Sequence, residues 1–110
     1  MLRKELRIQL TEEIFQQFQI EGERYYGKKI SAKVLRSDAQ KSKFAVLVPK
    51  GLDKRATKRN KLRRLAFEVI GKFYIKIKRG RLVLFQVHDL SLEDKDVELL
   101  LNKVGLLSNE

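Results

Sequence analysis

The 110-residue chain has no cysteine, no tryptophan, one proline and one histidine. Without cysteine there is no disulfide, no thiolate metal centre and no cysteine nucleophile, which suits a reducing compartment. The lone His88 stands beside Asp89, and such a pair can orient a general base. No nucleophile accompanies it, and it sits just past an apolar stretch, so a strand-end histidine is expected. A glycine-rich phosphate loop is also missing. No stretch approaches the roughly 18 consecutive apolar residues of a membrane span. Met1-Leu2-Arg3-Lys4-Glu5 leads into no signal-like apolar run, so a cytoplasmic protein without a membrane partner is expected.

Acidic residues are scarce in one place only. From Lys50 to Arg81 there are 13 Lys or Arg against Asp53 and Glu68, a local charge of +11. The whole chain is also formally +11, so the remaining 12 basic and 12 acidic residues cancel. A solvated helix surface usually alternates its signs. A concentrated positive field instead suits a polyanion, nucleic acid before acidic lipid. At 43% hydrophobic and 35% charged, a chain of this length builds one core under an ionic surface. Residues 1–110 therefore read as a single domain.

Thr11 can cap a helix over residues 12–21, where Glu12 and Glu13 suit the positive end of the dipole and Gly22 supplies a stop. Ile14, Phe15 and Phe18 share one face of it. Residues 24–36 read as one strand, with Ile30, Ala32 and Val34 alternating with Lys29, Ser31 and Lys33. After a polar connection at 37–42 comes a second strand, Lys43 to Val48, apolar enough to be buried on both faces and ended by Pro49. Asp53 or Thr57 can cap the next helix, which runs to about Tyr74 with Leu62, Leu65, Ala66, Val69 and Phe73 on one stripe. Carried toward the N-terminus, that stripe reaches Lys58 and Arg55, which no core buries unpaired. The basic first turns should therefore project beyond the body. Tyr74 to Lys78 reads either as a strand or as a connecting loop. Arg81 to Val87 is a strand. Ser91 caps a last helix with Asp94 as capping-box partner, Val97, Leu100, Leu101 and Val104 as its apolar face, and Gly105 as its stop. Glu93, Asp94, Asp96 and Glu98 fall at helix-start spacing and suit the dipole better than a metal. The order of elements indicates an α+β sandwich, with helices on one sheet.

The residues with chemistry to offer run from Lys50 into the central helix: Lys54, Arg55, Lys58, Arg59, Asn60, Lys61, Arg63 and Arg64. Lysine and arginine neutralise phosphates, and arginine also grips them bidentately. Asn60 can both donate and accept, so it can meet a base edge, a sugar hydroxyl or a neighbouring backbone group. A solvated charge run is the plainer alternative.

This segment closely resembles the signature of the bacterial ribonuclease P protein subunit. The family pattern is a Val-Ser-Lys-Lys-like strand end, a short basic stretch, then Ala-x-x-Arg-Asn-Arg-x-Lys-Arg on a helix. Here Val48-Pro49-Lys50-Gly51 is followed by Ala56-Thr57-Lys58-Arg59-Asn60-Lys61-Leu62-Arg63-Arg64. Phe15-Gln16-Gln17-Phe18 and Gly22 are similar to the family's Phe-x-x-x-Phe-x-x-Gly, and the resemblance spans roughly Leu6 to Leu106. The chain departs from the pattern at Gly51, where a second lysine is usual, and at Phe67, where arginine is frequent. Phe18 comes one position early, with Gln19 in the family's place, and Lys33 lies near a position often aromatic.

The resemblance implies the order αβββαβα on a four-stranded sheet, with a left-handed crossover at the basic helix, against the general right-handed rule. It also implies that the catalyst is ribonuclease P RNA, bound through the basic helix. The 5′ leader of precursor tRNA would lie in a cleft between the first helix and the sheet, and Mg2+ would be held mainly by the RNA. The protein would be a monomer outside the ribonucleoprotein. A single-stranded leader needs stacking surfaces and a cationic track. Phe15, Phe18, Tyr25, Tyr26, Lys29 and Lys33 are the residues available for it, with Phe18 equally suited to the core. The alternatives are a ribosomal or architectural RNA-binding protein, and a metal-dependent nuclease using the acids near Glu93. The nuclease is the poorer of the two, because those acids lie outside the basic segment.

Overall fold

In the computed structural model, residues 6–36, 42–74 and 80–103 are described. The elements run α1 (Glu12–Glu21), β1 (Glu23–Tyr26), β2 (Ile30–Arg36), β3 (Lys43–Leu47), α2 (Ala56–Phe73), β4 (Arg81–Val87) and α3 (Asp94–Lys103). That is the expected αβββαβα order. The strand or loop expected at 74–78, most of the connection at 37–42, and Val104 with Gly105 lie largely or wholly outside the described residues.

The four strands lie in the order β1-β2-β4-β3. β1 with β2 and β2 with β4 are antiparallel, whereas β3 and β4 are parallel neighbours. A parallel pair needs a crossover, and α2 supplies it. The register sorts side chains by face, because residues opposite one another point the same way. Ile30, Ala32 and Val34 align with Val87, Phe85 and Val83, and the last two align with Val46 and Phe44 of β3. All belong to the larger core, which they share with Leu62, Ala66, Phe67, Val69 and Ile70 of α2 and Val97, Leu100 and Leu101 of α3. Leu35, Ala45 and Leu84 face the other way and form a smaller core with Phe18 of α1. So α2 and α3 cover one face of the sheet and α1 the other. Both faces of β3 and β4 are occupied, which is why Phe44-Ala45-Val46 and Val83-Leu84-Phe85 have no polar interruption. Each fully buried aliphatic or aromatic side chain contributes about 1.5–3 kcal/mol of transfer free energy.

The first helix starts and stops as its sequence indicates. Thr11 Oγ1 accepts from the Ile14 N–H at 3.3 Å, and the Gly22 N–H donates to the Phe18 carbonyl. Elsewhere the structure corrects the reading. The span 24–36 is not one strand but the hairpin β1–β2, turned at Gly27-Lys28-Lys29. The Gly27 N–H donates to the Ile30 carbonyl at 3.0 Å, and a Cβ at Gly27 would stand 2.6 Å from that oxygen, so the close approach needs glycine. Neither Asp53 nor Thr57 caps α2; its N-cap is Arg55, without a side-chain capping bond. Ser91 does not cap α3 either. Its N–H and hydroxyl donate to Asp89, and the reciprocal capping bond comes from the Glu93 N–H to Asp96 at 2.8 Å. Residues before α1 also take part: Arg7 bridges to Phe44 in parallel, and the Ile8 N–H donates to the Phe44 carbonyl at 2.7 Å. This covers the outer edge of β3. The Arg7 guanidinium lies 4.5 Å from the centre of the Phe67 ring.

Candidate nucleic-acid interface

The apolar stripe of α2 begins at Leu62, and no residue of Ala56–Lys61 is buried. The first turns of the helix therefore project past the sheet, because nothing apolar there can pay for contact with the core. They carry no acid in the first turn. The exposed Lys50, Lys54, Lys61 and Arg64 and the half-buried Lys58 have no ion pair or side-chain hydrogen bond among the described residues. Of these, Lys54 and Lys58 flank the start of α2, at the positive end of its dipole, where an anion is the favourable neighbour; Lys50 precedes them in the loop, and Lys61 and Arg64 follow along the helix. The other basic residues of the segment are engaged. Arg55 is paired with Asp53 at 2.9 Å, Arg59 donates to backbone carbonyls, and Arg63 donates to the Asn60 side-chain oxygen. Asn60 thus meets a neighbour on its own helix through its oxygen.

A second surface lies on the α1 side of the sheet. The row Tyr26–Ser31–Gln86–Leu47 crosses all four strands in register, and none of its members is buried. The next row, Arg24–Lys33–Leu84–Ala45, is covered at Leu84 and Ala45 by Phe18. So α1 roofs part of the sheet and leaves an open step beside it. Half-buried Phe15 and Lys33 border that step: the Lys33 ammonium lies 5.9 Å from the Phe15 ring centre and donates to Gln19 Oε1 at 2.9 Å. Partial burial, then the Arg24 charge, lowers the pKa of Lys33 below the ordinary lysine value. The floor of the step is polar, with Ser31 Oγ 2.7 Å from His88 Nε2. Asp89 plays no part in orienting His88; its carboxylate accepts from Ser91, which lowers its pKa. The step lies where β3 ends, so its Leu47 end leads through Val48 and Pro49 to Lys50 and the start of α2.

Three residues read from the sequence as cleft-lining are placed elsewhere. Phe18 is 0% exposed and fills the smaller core. Tyr25 packs against the larger core on the opposite face, its hydroxyl donating to Glu23 at 2.8 Å, a bond that raises its pKa. Lys29 turns toward α3, 3.2 Å from the Ser91 carbonyl and 3.8 Å from Asp96. Tyr26 stays at the step, 62% exposed. Ser31 and Gln86 were not singled out from the sequence, and His88 was read there only as a strand-end histidine beside Asp89. The polar interruptions Ser31 and Gln86 within apolar strands were the available signal.

The described residues do not fit a protein-held magnesium ion. No three Asp, Glu or His side chains among them converge as ligands, and Asp53 and Asp96 are committed to Arg55 and the Glu93 N–H. No helix among the described residues is long and apolar enough to cross a membrane.

The family model described as Ribonuclease P matches residues 2–109 of the chain. No curated protein sequence matches it. Among solved structures, the Staphylococcus aureus RNase P protein is similar with a TM-score of 0.84 at 15% identity, covering 94% of this chain and 98% of that one. The RNase P protein from Thermotoga maritima is similar with a TM-score of 0.74 at 18% identity, covering 89% and 93%.

Proposed function

The chain belongs to the ribonuclease P family, and from that premise we propose that its two surfaces divide the work of tRNA 5′ maturation between two RNAs. As a ribonuclease P subunit it takes part in tRNA processing with an RNA partner. In our reading, the free N-terminal turns of α2 bind the catalytic RNA, with Lys50, Lys54, Lys58, Lys61 and Arg64 on phosphates. The leader of precursor tRNA crosses the open step, stacking on Phe15 and Tyr26 with Lys33 beside its backbone. Catalysis, with its magnesium, belongs to the RNA. The protein raises the local density of positive charge and holds the substrate, as a cytoplasmic monomer outside the ribonucleoprotein.

The observation that carries this reading is the set of cations, unpaired among the described residues, along the loop and the first turns of α2, where no residue from Ala56 to Lys61 is buried. Neutralising phosphates there releases counterions and makes binding salt-dependent. The test is reconstitution with the cognate ribonuclease P RNA at low magnesium. The protein is expected to restore correct 5′ processing that neither component performs alone under those conditions. Processing by RNA-free protein, or no gain on adding protein to the RNA, would overturn the proposal.

A further inference from the structure

Asp53 is the single acid between Lys50 and Arg64, and its side chain is only 8% exposed. Its carboxylate accepts three bonds from Arg55: the backbone N–H at 2.8 Å and Nε at 3.1 Å to Oδ1, and Nη2 at 2.9 Å to Oδ2. Arg59 reaches back from the next turn of α2, Nη1 donating to the carbonyls of Asp53 at 2.9 Å and Lys54 at 3.0 Å. Together these bonds close the loop onto the first turn of the helix.

We infer that Asp53, Arg55 and Arg59 form a clasp that pre-orders the RNA-binding end of α2, with Asp53 and Arg59 acting as positioning residues rather than as RNA ligands. The inference rests on the RNA-binding reading of α2 given above. A helix start with no side-chain cap leaves its first N–H groups without intrahelical partners. Lysines at the positive end of the dipole work against it further. Such an end frays unless something holds it, and a frayed end must be ordered again when RNA binds, which weakens affinity. The bidentate Arg55–Asp53 pair is the strong type of ionic hydrogen bond, and it holds the carboxyl of Asp53 down at about 2.

The clasp and simple electrostatics predict opposite signs for one substitution. Asp53→Asn removes the only negative charge of the segment. If charge alone matters, RNA binds more tightly. If the clasp matters, RNA binds more weakly although the protein is more positive. The experiment measures binding of the full chain to ribonuclease P RNA across a salt series, together with melting temperatures. Asp53→Asn is expected to lose about three- to tenfold in affinity, the effect of leaving one long side chain to be ordered on binding, with no fall in the salt slope and a modest fall in melting temperature from the lost Arg55 pair, binding being compared where both proteins are folded. Asp53→Glu, which can still pair with Arg55, should recover part of the loss. Arg59→Ala should also weaken binding without lowering the slope, whereas loss of a phosphate ligand lowers it by about 0.7–0.9; this variant carries the test alone if Asp53→Asn does not fold. The control is Lys61→Ala with Arg64→Ala. If the control weakens binding while Asp53→Asn binds as tightly as the parent or tighter, the clasp is wrong and the RNA-binding reading stands. A slope lost with Arg59→Ala overturns its positioning role. If the control changes nothing, α2 is not the RNA contact and both readings fall.

Discussion

Phe15 and Phe18 lie three residues apart on α1, and the structure separates their roles. Phe18 has no exposed surface and packs with Leu35, Ala45 and Leu84. Truncating such a ring to alanine costs about 3–5 kcal/mol, transfer and cavity together. A domain's total stability is about 5–15 kcal/mol, so Phe18→Ala should remove a large share of it. Each 1 kcal/mol moves the melting temperature of a domain of this size by about 4–8 °C, so a fall of at least about 12 °C is expected. Phe15 is half-buried at the edge of the same cluster. Half of a phenylalanine's transfer free energy is about 0.8–1.5 kcal/mol, and an edge site leaves no sealed cavity. Phe15→Ala should therefore lower the melting temperature by about 3–12 °C, less than Phe18→Ala in every case. Its main effect should fall on substrate. One lost base stack is worth about 1–3 kcal/mol, or roughly a 5- to 150-fold loss of holoenzyme affinity for precursor tRNA, with none for mature tRNA, which has no leader. Urea unfolding of both variants, with binding measured at a temperature where both are folded, checks the pair of expectations. Equal destabilisation by the two substitutions, or equal loss of affinity for precursor and mature tRNA with Phe15→Ala, would refute the argument.

Further expectations follow from the same geometry. Replacing Lys54, Lys61 and Arg64 together with alanine should flatten the dependence of log affinity on log salt by roughly 2 to 3; an unchanged slope would show them to be solvated surface only. A Cβ on Gly22 would stand 2.5 Å from the Phe18 carbonyl oxygen and 3.4 Å from the Lys33 Cβ, so Gly22→Ala should cost about 1–3 kcal/mol, and unaltered stability in urea would contradict that crowding. The Asp53 carboxyl should titrate at about 2 by carbon-detected NMR. Because its folded value lies below the unfolded one of about 3.9, its contribution to stability is fully present above about pH 4 and is lost as pH falls through about 2. A midpoint near 4 would mean the clasp does not form in solution.

Much of this was local and therefore legible in the sequence. Thr11 and Gly22 bound α1 because capping involves residues within one turn. The apolar run of β3 and the stripe on α2 announced burial because period alone reveals a covered face. The projecting basic end of α2 followed from the cost of burying charge: where the stripe reaches Lys58 and Arg55, the core has to stop.

The remainder depended on which face and which neighbour, and only tertiary structure decides those. Alternation marked two faces along β2 but could not say that α1 takes one and α2 with α3 the other. Phe18 therefore entered the core, while Tyr25 and Lys29 went to the side away from Phe15. Phe67 and Ile70 lie off the narrow stripe yet are buried, because the sheet, the Arg7 segment and α3 surround more of α2 than one neighbour would. The row Tyr26–Ser31–Gln86–Leu47 gathers residues from four strands, a proximity created by hydrogen-bonded register alone. Composition and spacing thus determined that this chain carries a basic helix whose first turns stay out of the core. Which cations remain free and which, like Arg55 and Arg59, are spent on holding the loop was decided by distances of a few ångströms that spacing does not encode.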